Sequence, residues 1–239
     1  MSGLSLSRAV VRSVEQLVDR MIEKHKLRGL GGEIMRQAVS SFIKNLALSG
    51  LRVDKAVVSG WLEVLEENLA CVEQSVQSSA VEALPAFLDQ HWLTGGVLDT
   101  AGRDKTVAGF LSKLSGPEVT RRGFSSALGQ LPGSFVRGKE EEIIHGLIRA
   151  SKVSEGTEKW AEARRESVRA LGCLVTTCLP WLSPDLLPHV YDCFLLGLED
   201  YTLDRRGDTG AWVREAAMAG VVSLTLAAND KVTHFTSSV

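Results

Sequence analysis

Five stretches of this 239-residue chain share one design, and that repetition constrains the fold more than any other feature. They are EIMRQAVSSFIKNL, SVQSSAVEALPAFL, EVTRRGFSSALGQL, EARRESVRALGCLV and AWVREAAMAGVVSL. Aligned on Arg36, Gln77, Arg121, Arg164 and Arg214, each carries a small or apolar pair six and seven positions later: Phe42/Ile43, Ala83/Leu84, Ala127/Leu128, Ala170/Leu171 and Gly220/Val221. Apolar residues recur within each at steps of three and four, the spacing of a helix with one buried face. The anchors lie 41, 44, 43 and 50 residues apart. A unit of that size cannot bury its apolar face alone, so successive units must stack.

A period of about 40–47 residues matches HEAT and armadillo units, whereas tetratricopeptide units recur at about 34. The expected fold is therefore all-α, a HEAT/armadillo-type α-solenoid of about five helical hairpins covering 1–228. Second helices are expected near 33–48, 75–90, 118–131, 161–179 and 209–227, each buried in its hairpin. First helices are expected at Val57 to Leu69, Lys105 to Leu114, Glu140 to Ala150 and Pro188 to Leu198, with an amphipathic stretch at Val10 to Ile22. GLGG (29–32), TGG (94–96) and PGSFVRGK (132–139) supply breaks between helices. Strand signals are almost absent. The last repeat runs into AANDKVTHFTSSV without a polar cap, so 229–239 is expected to be a disordered tail and the chain a truncated or alternatively ended product.

Composition narrows the function. With 27 basic and 29 acidic residues, no basic excess is present to neutralise nucleic-acid phosphates. Cys71, Cys173, Cys178 and Cys193 lack CxxC spacing and read as buried thiols of a cytoplasmic protein. Arg8, Arg12, Glu15 and Asp19 interrupt the N-terminal apolar residues, so no secretory signal is expected. The nearly apolar run from Ala216 to Ala228 is about 13 residues, below the roughly 20 of a membrane span, and is expected to be a buried helix without membrane insertion. His25, His91, His145, His189 and His234 are scattered, with no HExxH and no zinc-like Cys/His spacing. GLGG lacks the GxGxxG pattern and a preceding strand, and no GxxxxGK[ST] occurs. No catalytic centre, cofactor or metal is expected. KEEE (139–142) reads as the start of a solvated helix, where acids complement the N-terminal dipole.

One stretch, DYTLDRRGDTGAWVREAAM (200–218), gathers Asp204, Arg205, Arg206, Asp208 and Trp212 into a long loop and helix start. These five are the candidate partner-binding residues. The alternative is structural: Asp208 caps the helix and pairs with a repeat arginine, and Trp212 lies in the core between repeats. Both readings stand at this point, since no helix period requires Asp204, Arg205 or Arg206.

That stretch resembles the DYTxDxRGDVGxWVRxAAM hallmark of the tubulin-folding cofactor D family, with Thr209 where the family usually has Val. GLGGEIMRQAVSSFIKNLALS is similar to the family's GxGGxLMRQAV helix, TRRGFSSALGQLPG to its TRxGFSxALGxLPG, and EARRESVRAL to its ESRRDxxxAL. The four segments keep the family's order and span Gly29 to Leu226. The resemblance implies a cytosolic HEAT-repeat chaperone, microtubule- or centrosome-associated, that captures β-tubulin. It implies work with tubulin-folding cofactors C and E and association with an Arf-like small GTPase. Stimulation of GTP hydrolysis by tubulin would belong to that assembly, and the chain would cover only part of the family's long solenoid. A second expectation is a structural fragment that keeps the hairpins but lacks enough partner surface, and so competes or is inactive.

Overall fold

The computed structural model describes residues 8–24, 26–94, 97–153 and 160–236. The chain is mostly helical. In chain order its helices are α1 (Arg8–Glu23), α2 (Gly32–Leu48), α3 (Lys55–Leu69), α4 (Gln74–Trp92), α5 (Thr100–Lys113), α6 (Glu118–Gly129), α7 (Gly133–Val136), α8 (Glu140–Ala150), α9 (Ala161–Cys178), α10 (Leu186–Leu198) and α11 (Gly210–Thr236). Two-residue strands β1 (Leu93–Thr94), β2 (Val97–Leu98), β3 (Leu203–Asp204) and β4 (Gly207–Asp208) complete the elements. Gly95 and Gly96 of the expected TGG break lie outside the described residues.

The chain packs as two compact units, Met1–Val97 and Leu98–Val239. In the first, α2 and α3 pack on α4. Val39 and Ile43 of α2, Trp61, Leu65 and Leu69 of α3, and Leu84 and Phe87 of α4 are all buried. Burial of each large side chain contributes about 1.5–3 kcal/mol, which covers the entropy of ordering its turn only because neighbours do the same. α4 continues through Pro85, which removes one backbone donor, because Ala83, Leu84, Phe87 and Leu88 are held on both sides of it. Positive φ at Gly29 (70°) and Gly31 (79°) explains why glycines break the chain before α2.

In the second unit α6, α9 and α11 pack side by side, α8 against α9 and α10 against α11. Small residues set the spacing. A Cβ on Gly129 of α6 would lie 2.5 Å from Ala170 Cα of α9, and one on Gly172 of α9 would lie 3.4 Å from Gly220 Cα of α11. At Gly129 the backbones are too close for any Cβ, whereas at Gly172 an added methyl would just make ordinary contact.

The sequence period reappears as spatial adjacency. Gln37 Nε2 donates to Ser75 Oγ at 3.2 Å and Lys44 pairs with Glu82 at 3.2 Å, both 38 residues apart. Ser125 and Ser167 hydroxyls meet at 2.9 Å across 42 residues, and Ala163 N donates to Glu118 across 45. These contacts join α2 to α4 and α6 to α9.

Three expectations need correction. PGSFVRGK is not a plain break, because Phe135 and Val136 are fully buried and fold the short helix α7, with the turn left to Gly138 at φ 81°. The run expected to end near 228 as a buried helix is longer. α11 extends to Thr236, and its stretch Gly210–Asn229 is long and apolar enough to cross a membrane by length and composition, with 28% of that window buried. Only one face is covered, through Val213, Ala216, Ala217, Gly220 and Leu224, while Met218, Val222 and Leu226 are exposed. The expected 229–239 tail therefore begins inside α11, and residues 237–239 lie outside the described residues.

Candidate partner-binding site

The repeat anchors sit in the first turn or so of their helices, and three of them, Arg36, Gln77 and Arg214, donate to a backbone carbonyl at or beyond the end of an earlier helix. Last-turn carbonyls have no intrahelical donor and need one from elsewhere. Arg36 Nε donates to Leu27 O at 3.0 Å, and Gln77 Nε2 to Leu69 O at 2.8 Å. Arg214 Nη1 donates to Asp200 O at 2.5 Å, just past α10.

Two anchors also reach forward. Arg36 Nη1 donates to Asn68 Oδ1 at 2.7 Å, and Asn68 is fully buried near the end of α3. Arg164 holds Asp200 through Nε at 2.9 Å and Nη2 at 2.8 Å, with both side chains almost fully buried. Each unit thus contains the same relay: an arginine, a polar residue closing the next first helix, then the next anchor on that helix end. Arg121 departs from it, since its buried Nε has no hydrogen-bond partner among the described residues.

The relay through Arg164 and Asp200 carries the 200–212 loop. Asp200 Oδ1 accepts from Thr202 N at 3.0 Å, and Thr202 Oγ1 accepts from Arg164 Nη2 at 3.0 Å. Gly210 N donates to Thr202 O at 2.9 Å, which closes the loop on the start of α11. β3 and β4 pair antiparallel, Leu203 opposite Asp208 and Asp204 opposite Gly207, with Gly207 at φ 103°.

Of the five candidates, four are engaged within the chain. Asp204 accepts from Arg206 N at 2.7 Å and Arg206 Nη2 at 2.6 Å, and Arg206 also donates to Glu162 of α9. Asp208 Oδ1 caps α11 by accepting from Ala211 N at 3.2 Å, and Oδ2 accepts from Arg214 at 2.5 Å. Trp212 is half-buried, with the guanidinium of Arg206 5.1 Å and that of Arg165 6.0 Å from its ring centroid. Arg205, exposed like Arg206 and Asp208, is the one of the five with no hydrogen bond or ion pair among the described residues.

Sequence reasoning missed Tyr201 and Leu203. They are 73% and 69% exposed, and the Arg214 guanidinium lies 5.0 Å from the Tyr201 ring centroid. The signal was present in DYTLDR, whose residue types alternate with period two, but in a segment read as loop that alternation carried no assignment.

The carboxylates of this network titrate low. Hydrogen bonds from Arg206 hold Asp204 below the ordinary carboxylate range, and those from Arg214 do the same for Asp208. For Glu162 and Asp200 burial pushes upward, but it is outweighed by the Arg206 hydrogen bond on Glu162, and by Thr202 and Arg164 on Asp200. A depressed folded-state pKa stabilises the fold fully above the unfolded value, near 4, and less as pH falls below it. Glu118, raised by burial, opposes this, as a single group against four. The urea midpoint of the second unit should therefore be flat from pH 7 to about 5 and fall steeply below about 4. A midpoint unchanged at pH 3 would show that the network adds nothing to stability.

The remaining chemistry is sparse. The rings of His145 and His189 lie 5.6 Å apart, yet no group of three or more His, Cys, Asp or Glu able to hold a metal occurs among the described residues. Burial pushes the Cys178 thiol up to about 11, so it stays protonated and unreactive at neutral pH. His25 lies outside the described residues. No family model matches the chain, and no solved structure matches it.

Proposed function

We propose that this chain is a HEAT-type helical scaffold of the tubulin-folding cofactor D kind, which binds β-tubulin by surface contact. Its fellow components would be tubulin-folding cofactors C and E and an Arf-like small GTPase. Any stimulation of GTP hydrolysis would arise in that assembly, the chain itself being no enzyme. The observation that carries the reading is the stretch 200–214, the loop after α10 together with the first turn of α11. The stretch with the most specific family resemblance is also the one held in place by buried Arg164 and Asp200 while it presents Tyr201, Leu203 and Arg205 to solvent. A pinned loop loses little conformational entropy on binding, so its contacts go further toward affinity. Repeat-offset contacts within each unit support stacked hairpins, and such stacks offer the large faces, about 2,000 Å² or more, that hold a protein partner without chemistry.

The test is affinity capture of the tagged chain from cytosolic extract, with immunoblots for β-tubulin, the two cofactors and the small GTPase. Enrichment of β-tubulin is the expected result. Failure to enrich any of the four overturns the proposal.

A further inference from the structure

In the row formed by α6, α9 and α11, the middle helix is covered on both flanks: Ala170 of α9 lies against Gly129 of α6, and Gly172 lies against Gly220 of α11. α11 has that cover on one flank. Away from it stand Met218, Val222 and Leu226, which are 55%, 57% and 60% exposed. Their four-residue steps put the three on one face of the helix. α10 widens that face. Tyr191 Oη lies 3.5 Å from Thr225 Oγ1, and Leu195, one turn after Tyr191, is 55% exposed.

Two properties of the face select its occupant. The first is charge: between Glu215 and Asp230 the chain has no charged residue, so nothing there calls for a partner of opposite sign. An identical face meets it with no charge left unpaired. The second is size. Two helices each about 10 Å across, over about 20 Å of length, offer roughly 400 Å² in projection and about 500 Å² of accessible surface. Two copies would then bury about 1,000 Å², the lower bound for a specific contact, and the pair should be weak and concentration-dependent.

We infer that the α10–α11 face is the contact of a two-fold dimer of this chain. The two α11 helices run antiparallel across it, with Val222 beside the axis and Met218 of each copy against Leu226 of the other. Leu195 flanks them. This contact is separate from the 200–214 stretch, and it stands or falls independently of β-tubulin capture.

Sedimentation equilibrium of the full chain, from about 1 to 200 µM, tests this. The average mass should rise with concentration from that of one chain toward twice that value. Val222→Glu and Val222→Lys should each weaken association at least about tenfold, because each sets like charges face to face at the axis, and an equimolar mixture of the two should restore it. Ile34→Glu, at a 72% exposed apolar position of α2, should leave association unchanged. Circular dichroism melts confirm that each variant folds, and Met218→Ser with Leu226→Ser serves if a charged variant melts early. A single-chain mass throughout, association untouched by the Val222 variants, a mixture no better than either variant alone, or an equal loss from Ile34→Glu each overturn the inference. So does a chain that stays monomeric yet floats with phosphatidylcholine vesicles unless Val222 is replaced by Glu, since the face would then belong to a membrane surface.

Discussion

Arg164→Met should lower the unfolding free energy of the second unit by about 3–5 kcal/mol, because it strands a buried carboxylate. Arg164 and Asp200 side chains are 3% and 5% exposed, so water cannot replace the lost bonds. The damage should spread along the chain. Asp200 also orders Thr202, and its carbonyl receives Arg214, so the 200–210 loop loses its inner row together with its ion pair. Asp200→Leu in the same molecule should recover much of the loss, since a buried pair replaced on both sides by apolar groups is often close to neutral. Urea denaturation of the two variants decides it. Single and double variants of equal stability would mean that the pair is not the element holding this unit. Arg206→Ala should cost far less, because the Arg206 side chain is 38% exposed and its pairs are screened by solvent.

Gly210→Ala should be nearly as damaging, against the usual sign for a helix. At an exposed helical position the substitution stabilises by about 0.5–1 kcal/mol. At Gly210, however, a Cβ would lie 2.2 Å from Asp200 O and 2.7 Å from Thr202 N. Neither atom is free to retreat: Asp200 O receives Arg214, and Thr202 is tied through its own carbonyl to Gly210 N. Overpacking of this kind costs about 1–3 kcal/mol and more where the obstacle is backbone. Gly60→Ala in α3 is the matched control, with nothing within 4 Å of its added Cβ. Thermal melts should move in opposite directions for the two variants. A Gly210→Ala melting temperature at or above that of the parent chain would refute the close approach of loop and helix.

These two positions mark the limit of sequence reading. Arg164 was legible as a repeat anchor, because arginine recurs at that place in the units at 36, 121 and 214 as well. Its partner was not, since Asp200 lies 36 residues further on and only the packing of α9 beside α10 and α11 joins them. The 200–218 stretch was read as a long loop and helix start, yet nothing local showed that the loop folds back on Gly210. Asp208 could be foreseen as a cap paired with a repeat arginine, and it is both. Trp212 was weighed between core and recognition surface. It is neither fully buried nor free, because two guanidinium groups approach its ring.

The amino-acid sequence by itself determined the helical content, the approximate places of the longer helices, and the spacing of about forty residues between similar segments. Helix propensity, apolar periodicity and glycine or proline breaks act over a few residues and are therefore visible locally. Tertiary structure alone decided which charged residues are occupied and which are left to solvent. An ion pair forms between groups brought within about 4 Å by packing, whatever their separation along the chain, and that packing leaves Arg205 outward while Arg206 beside it is bound to Asp204 and Glu162.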